Sequence, residues 1–197
     1  MHMLHKLFRY SGIVLIEVMQ ICRRVYFFLC SLGQYRRIKK QPILACGRGS
    51  IKIGKNVEIG LCSSPSYLST YCYLEARQLE ASIEICDNVK INNNFSAISN
   101  TASIFIGENT LVGLNVGIVD SDFHRVSHFK RGDNDAQSEA VHIGENVFIA
   151  NDVKIYKGVR VGHGAVIGAG SVVMDDVAEN AIVQGNPAKF IKKINHV

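Results

Sequence analysis

The chain of 197 residues is long enough for a sizeable core and favours a single domain. Its formal net charge of +5 is unevenly placed, because residues 1–45 hold eight Lys and Arg against one Glu and the rest of the chain sums to −2. These cations belong to an apolar segment that lacks a platform for stacking bases. The composition therefore argues against a nucleic-acid partner.

Residues 1–45 form the first predicted element, a basic and apolar helical arm. Its apolar stretches are interrupted by Glu17, Arg23 and Arg24, so none approaches the roughly 18 apolar residues that a membrane-spanning helix needs. It also lacks the small-residue cleavage site of a secretory signal. Two interpretations remain: the arm lies on an anionic membrane surface, or it packs on the end of the following domain or in an oligomer. We expect a cytoplasmic protein, and the first interpretation would place it at the inner face of the membrane.

The cysteines all lie in the first half of the chain and form no CxxC pair. Their scatter favours neither a disulfide framework nor a zinc site. We expect free, buried thiols in a reducing compartment. The residues concerned are Cys22, Cys30, Cys46, Cys62, Cys72 and Cys86.

From residue 46 onward the sequence acquires a six-residue period. It begins at Ile51 and Ile59, blurs over residues 61–82 in a predicted loop or set of irregular coils, and recovers at Ile85 before changing phase near residues 99–103. A period of six fits neither a helix of 3.6 residues per turn nor a two-residue strand alternation. It is typical of a solenoid in which three short strands make one coil and each coil stacks on the last.

A polar insertion, residues 119–142, interrupts this period. It follows Ile118, is rich in Asp and His, and ends where the hexads restart at Ile143. Loops on a rigid scaffold often carry function, so this insertion is the first place to look for a site.

The hexads are most regular over residues 143–178. The first position of each hexad is Ile or Val and is predicted to fill the axis, whereas the fifth is small or branched and allows a tight corner. We therefore predict a mainly β chain, with a parallel β-helix over residues 46–185 and a tail over 186–197 that is a short basic helix or extended. The first positions are Ile143, Ile149, Ile155, Val161, Ile167 and Val173.

Three stretches of residues 104–194 resemble a known family. They are NVFIANDVKIYKGVRVGHGAVIGAGSVV, the ending VMDDVAENAIVQGNPAKFIKKI, and the turn DSDFH that ends at His124. Together they resemble the hexapeptide-repeat acyltransferases, and the branch of maltose/galactoside and polysaccharide O-acetyltransferases most of all. The resemblance implies a left-handed β-helix and a homotrimer with acyl-CoA sites between neighbouring subunits.

The resemblance also implies catalytic residues. A sugar hydroxyl is a poor nucleophile at neutral pH, and histidine is suited to accept its proton. His124 matches the catalytic turn of the family and is predicted to be the general base. Asp120 or Asp122 either orients the imidazole or only shapes the turn.

Acetyl-CoA is the implied acyl donor, and its binding residues are expected on the later coils. Asn151, Ala169 and Gly170 match corner positions along which the pantetheine arm would run, although the glycine also suits simple turn geometry. The phosphates would meet Lys189 and Lys192, which otherwise form a solvated basic tail. A sugar acceptor would meet Asn93, unless that residue belongs to an asparagine ladder inside a corner.

The sequence departs from the pattern of this branch at two places. Phe148 stands where Trp is common, and Met174 with Asp175 stands where Thr-Lys is common. The second change removes one cation that could contact a phosphate. The spacing of His124, His128, His142 and His163 does not match the zinc ligands of the carbonic anhydrases that share the hexapeptide scaffold, and no metal is expected.

We predict an acetyl-CoA-dependent O-acetyltransferase of a sugar hydroxyl in the biosynthesis of a capsule, exopolysaccharide or lipopolysaccharide. One alternative is an N-acetyltransferase of a nucleotide-linked aminosugar. The alternative from another class is an inactive β-helix that serves as a scaffold or binding module.

Overall fold

The computed structural model describes residues 2–31, 40–125, 127–132 and 136–194, with side chains of the first range from Ile13 onward. It contains an N-terminal helix, α1 (His2–Cys30), and eighteen strands, numbered in chain order, in the described part of the chain. The strands form three sheets, which we name A, B and C, and each coil of the chain contributes to them in that order. The predicted parallel β-helix is confirmed.

The strand bounds follow from this winding. Sheet A contains β1 (Ile43–Gly47), β4 (Cys72–Ala76), β7 (Ser96–Ser99), β10 (Gly117–Val119), β13 (Lys154–Ile155) and β16 (Val172–Val173). Sheet B contains β2 (Ser50–Ile53), β5 (Ser82–Ile85), β8 (Ser103–Ile106), β11 (Val141–Ile143) and β14 (Arg160–Val161). Sheet C contains β3 (Glu58–Ile59), β6 (Lys90–Ile91), β9 (Leu111–Val112), β12 (Phe148–Ile149), β15 (Val166–Ile167), β17 (Ala181–Gly185) and β18 (Ala188–Lys193).

The core is a set of aliphatic columns that run along the axis. In sheet B the parallel register places Ile85, Ile106, Ile143 and Val161 above one another, and each is at most 1% exposed. Burying one such side chain contributes about 1.5–3 kcal/mol relative to leaving it exposed. The first position of each hexad therefore provides the axis, as its periodicity predicts.

Asparagines hold the corners in a left-handed backbone conformation. Asn94 and Asn115 have φ of 59°, a region that Asn tolerates better than most residues. Their side chains also form a ladder, because Asn94 Nδ2 donates to Asn115 Oδ1 at 2.9 Å and Asn115 Nδ2 donates to Asp152 Oδ1 at 2.7 Å. Successive coils are thus joined at the corners as well as through the sheets.

The insertion leaves the β-helix at the corner between sheets A and B. It runs from the end of β10 to the start of β11, and it contains a short 3-10 helix, His128–Lys130. Its two ends meet, because Glu139 N donates to the Asp120 carbonyl at 2.8 Å and Ser121 pairs with Ser138 in an antiparallel bridge. The interrupted coil therefore closes and the parallel stacking continues unbroken beneath the loop.

The C-terminal tail takes the extended form of the two that the sequence left open: strand β18 pairs antiparallel with β17 after Gly185, with φ of 109°, reverses the chain. One expectation is corrected. The cysteines are not generally buried: Cys72 is buried, whereas Cys22 and Cys30 on α1, together with Cys62 in the loop before β4, are exposed. Within the described residues no helix is both long and apolar enough to cross a membrane.

Candidate active site

His124 lies in the insertion, directly after a strained turn. Phe123 has φ of 59° although it is a bulky residue, and its backbone N–H donates to Ser121 Oγ at 3.1 Å. The Phe123 ring also packs on the guanidinium of Arg77, with Cζ 4.9 Å from the ring centroid. These contacts fix the backbone from which His124 projects.

The imidazole of His124 has one defined partner. Its Nδ1 lies 3.1 Å from the carbonyl oxygen of Arg131, and a carbonyl can only accept a hydrogen bond. Nδ1 must therefore carry the hydrogen, which leaves the lone pair on Nε2 of the neutral ring. This tautomer has the form that a general base requires.

A cavity of about 530 Å³ opens beside His124. One wall is the turn itself, and the other is the outer face of sheet A, where Ser96 and Lys154 reach the cavity together with exposed Tyr156. Lys154 Nζ donates to the carbonyl of Asn115 at 3.2 Å. Hydroxyl, ammonium and imidazole groups thus converge on one space, as expected of a site for a polar substrate.

Asp120 is fully buried and directed away from the imidazole. Its carboxylate accepts hydrogen bonds from Ser99 Oγ at 2.7 Å, Asn100 N at 2.7 Å and Ala102 N at 3.0 Å. These donors belong to the corner of the preceding coil. The geometry favours the second interpretation, in which Asp120 shapes the turn.

Asp122 is paired with a different residue. Its Oδ2 lies 2.6 Å from Lys157 Nζ, in an ion pair that joins the turn to the residues after β13. The observed partner of the His124 Nδ1 is a backbone carbonyl, so neither aspartate makes the hydrogen bond that orients the ring. Asp122 instead anchors the turn to the next coil.

The predicted donor-binding residues lie on consecutive coils at the corner between sheets C and A. Gly170 N donates to the carbonyl of Asn151 at 2.9 Å, and Ala169 is exposed beside it. Gly170 has φ of 70°, and a Cβ built there would meet nothing within 4 Å. The backbone is therefore open to an extended ligand, which fits a pantetheine arm. Asn151 lines a separate cavity of about 280 Å³ on sheet C, together with Leu111 and Phe148.

Lys189 and Lys192 lie on β18, beyond that corner. A Cβ at Gly168 would lie 2.8 Å from Gln184 Cγ, and Gln184 pairs with Lys189. Gln184 thus lies between the corner and the strand that carries Lys189. Asp175, however, lies 3.5 Å from Lys189 Nζ, so the sequence change at this position adds an anion as well as removing a cation.

Asn93 is buried and satisfied by the protein. Its Nδ2 donates to the carbonyls of Leu61 at 3.0 Å, Ser64 at 3.2 Å and Pro65 at 2.8 Å, and its Oδ1 accepts from Leu61 N at 3.0 Å. This side chain holds the loop that precedes β4 against the β-helix. The arrangement favours the structural interpretation over contact with a sugar.

A larger cavity, of about 870 Å³, lies on sheet B and is lined by His142, Arg160 and His163. Of this cavity and the one beside His124, only the smaller contains the turn with an oriented imidazole, which makes it the candidate active site. In the described part of the chain, no group of three or more His, Cys, Asp or Glu side chains is placed to hold a metal ion.

Comparison with known proteins places this geometry in a family. A family model described as bacterial transferase hexapeptide (six repeats) matches residues 140–175. Over 188 residues the chain is 30% identical to WbbJ of Escherichia coli (strain K12), whose name assigns it as an O-acetyl transferase of lipopolysaccharide biosynthesis, and the match covers 88% of this chain and 84% of the relative. The chain belongs to the hexapeptide-repeat acetyltransferases.

Two solved structures share the fold of this acetyltransferase. Galactoside acetyltransferase in complex with coenzyme A is 29% identical, with a TM-score of 0.54 and coverage of 73% of this chain and 65% of that chain. The acetyltransferase VCA0836 of Vibrio cholerae O1 biovar eltor, complexed with acetyl-CoA, has a TM-score of 0.59 at 24% identity and covers 74% of this chain and 72% of its own, a likeness in fold alone. The predicted family, left-handed β-helix and enzyme class are confirmed, and the CoA of the galactoside enzyme agrees with the predicted donor.

The sequence did not reveal the groups that hold the turn before His124. The Arg131 carbonyl is seven residues from His124, and Lys157 and Arg77 come from other coils. A signal did exist for Lys157, since a cation directly after a strand at the same corner is a natural partner for an acidic turn. The contact of the Arg131 carbonyl could not be predicted, because every residue type has a backbone carbonyl.

Proposed function

We propose that the protein transfers an acetyl group from acetyl-CoA to a sugar hydroxyl, in the biosynthesis of a surface polysaccharide, with His124 as the general base. The observation that carries this proposal is the hydrogen bond of His124 Nδ1 to the Arg131 carbonyl beside an open cavity. The name of the WbbJ relative supports the polysaccharide as the class of acceptor. Acetyl-CoA, when bound, supplies the acetyl group as a thioester.

The chain contributes a proton acceptor and its support. His124 Nε2 takes the proton of the acceptor hydroxyl as its oxygen forms a bond to the acetyl carbon, and the ring then returns a proton to the sulfur as the carbon–sulfur bond breaks. The Nδ1–H bond to the Arg131 carbonyl keeps the ring aligned through both transfers. The Asp122–Lys157 ion pair holds the turn in place meanwhile.

Donor and acceptor approach His124 from different sides in this proposal. The donor lies along the corner of Asn151, Ala169 and Gly170, with its phosphates toward Lys189 and Lys192. The acceptor enters the cavity along sheet A, where Tyr156 is exposed. We further propose a homotrimer, in which a neighbouring subunit completes each groove.

The test is release of free CoA from acetyl-CoA across a panel of sugar acceptors, quantified by chromatography because three cysteines of the protein are exposed. We expect acceptor-dependent release that falls by about 10²-fold or more in His124→Ala. His163→Ala is the matched control, because His163 is an exposed histidine on another corner, and it should retain wild-type activity.

Three outcomes would contradict the proposal in different ways. Equal activity of His124→Ala and wild type would refute the assignment of the base. Failure to bind acetyl-CoA would favour an inactive scaffold. A product whose acetyl group resists mild base would be an amide, and the acceptor would then be an aminosugar.

A further inference from the structure

From Ile13 onward, helix α1 presents its charged side chains and Gln20 to the protein, together with Phe27, whose ring stacks on Tyr71 with 4.6 Å between centroids, whereas most of its other apolar side chains face outside. Gln20 is fully buried, and its Nε2 donates to the carbonyl of Tyr67 at 2.7 Å. Arg23 donates to the carbonyls of Tyr67 at 3.2 Å and Thr70 at 2.6 Å. Surface helices of globular proteins normally have the opposite arrangement, with the apolar face inward.

The outward face is broad as well as apolar. Successive residues of a helix are rotated by about 100° around its axis. On this basis the apolar positions of residues 14–29 that lie opposite Gln20 cover roughly half of the helix circumference. Glu17, Arg23 and Arg24, the charged residues of this stretch, all lie toward the docked side. The exposed apolar side chains of the outward half are Val14, Leu15, Val18, Met19, Ile21, Val25, Tyr26 and Leu29, with exposed fractions of 43–71%.

The width of this face and the charge around it indicate what covers it. A helix packed against one other protein element buries a stripe of about 100°, and the outward face of α1 is wider. Hydrocarbon at a membrane interface can cover half of a helix that lies in its plane, to a depth of about 5–10 Å. Apart from Arg23 and Arg24, which lie toward the docked side, the sequence of residues 1–45 holds six cations against one Glu. This charge complements anionic headgroups, and the rest of the chain has the opposite sign.

We propose that α1 docks the protein on an anionic lipid surface, with its outward face in the interface and the β-helix on the aqueous side. Hydrogen bonds on the docked side keep the helix attached to the β-helix. Gln20 and Arg23 bond to the loop that precedes β4, and Ser31, directly after the helix, accepts from Ala45 N of β1 at 2.9 Å. The apolar face is therefore held outward by the polar contacts on its other side.

The test is flotation of the full-length protein with vesicles of phosphatidylcholine and phosphatidylglycerol, since aggregated protein does not float. The decisive variants are Leu29→Glu and Leu15→Glu, which place a carboxylate on the outward face. Leu79→Glu is the control, because Leu79 is 72% exposed on the β-helix and Leu29 is 71% exposed on α1. Circular dichroism would verify that each variant folds.

Wild type and Leu79→Glu should float with the anionic vesicles, and each outward-face variant should lower the partition coefficient by about tenfold or more. Vesicles of phosphatidylcholine alone should bind less protein, and raising the salt concentration should weaken binding to the anionic ones. Wild-type protein that stays unbound, or folded outward-face variants that bind as well as wild type, would overturn the proposal. Loss of oligomer mass in the variants, without vesicle binding by wild type, would assign the face to a second copy of the chain.

Discussion

At the scale of single residues, the environment of a side chain decides its chemistry more than its type does. His124 and His163 are both exposed, yet His124 has its Nδ1 fixed by a carbonyl beside a cavity. The six thiols differ in the same way, since Cys72 is buried in the core and Cys22, Cys30 and Cys62 face solvent.

The thiols should react in separate classes. Burial raises the pKa of Cys72 well above its ordinary value, so this residue has neither the exposure nor the thiolate that a thiol reagent requires. Titration of the native protein with a chromogenic disulfide should modify Cys22, Cys30 and Cys62 first, and Cys72 only on unfolding. Peptide mapping of the modified protein identifies the residues, and early labelling of Cys72 would contradict the described packing.

The role of a residue could be predicted from the sequence only where the residues that define the role are neighbours in the chain. His124 could be named as the candidate base because the turn that ends at it, residues 120–124, is a contiguous motif. The roles of Asp120 and Asn93 were left between two interpretations, because their partners come from other coils: Ser99 lies 21 residues from Asp120, and Leu61 lies 32 residues from Asn93. Such residues meet because of the way in which successive coils align. The sequence reveals that alignment only where the hexads are unbroken.

At the scale of elements, the hexads predicted the coils well and left the tail undecided between a short helix and an extended segment. The six-residue period records which residues point inward, so the columns of Ile and Val were predictable. β18 lies outside the period and bonds to β17 in the antiparallel sense, and its basic, apolar sequence suits a helix equally well.

The axis columns should be sensitive to truncation. Ile149→Ala removes a side chain with 0% exposure and should lower the free energy of unfolding by about 2–5 kcal/mol. Ile191→Ala is the matched control, because Ile191 is 56% exposed, and its effect should stay within about 0.5 kcal/mol. Chemical denaturation measures both, and equal losses would show that the hexad position does not define the core.

The acidic neighbour of Lys189 should weaken donor binding. Asp175→Asn removes the carboxylate 3.5 Å from Lys189 Nζ and should lower the KM for acetyl-CoA by about two- to fivefold, since exposed pairs of this kind are worth up to about 1 kcal/mol. Glu179→Gln makes the same change of charge at another exposed position and should leave KM unaltered. Identical KM values for Asp175→Asn and wild type would contradict the proposal that Lys189 binds the donor.

At the scale of the whole molecule, the proposed homotrimer has a direct consequence for the shared grooves. The particle mass in solution should be three times the 21.8 kDa of one chain. Ala169→Trp should block the exposed corner that is proposed to bind the donor, and His124→Ala removes the proposed base. If each site takes these groups from different subunits, co-refolding the two inactive variants should restore part of the activity. Light scattering and the CoA-release assay measure the two effects.

A monomeric mass would refute the trimer. A trimer without recovered activity in the mixture would place the donor corner and His124 of each site on the same chain. The control is to refold each variant separately and assay the two together, because trimers that have not exchanged subunits cannot complement one another.

The antiparallel strand at the end of the β-helix also limits growth of the stack. A parallel coil presents an edge on which an identical coil from another molecule can add, and repetition of that step would produce a filament. β18 runs against the direction of every other strand in sheet C, and Lys189, Lys192 and Lys193 give it a charge that repels its own copies. The segment that is proposed to hold the donor phosphates therefore also covers the last parallel edge of sheet C and opposes the end-to-end addition of another molecule at that edge.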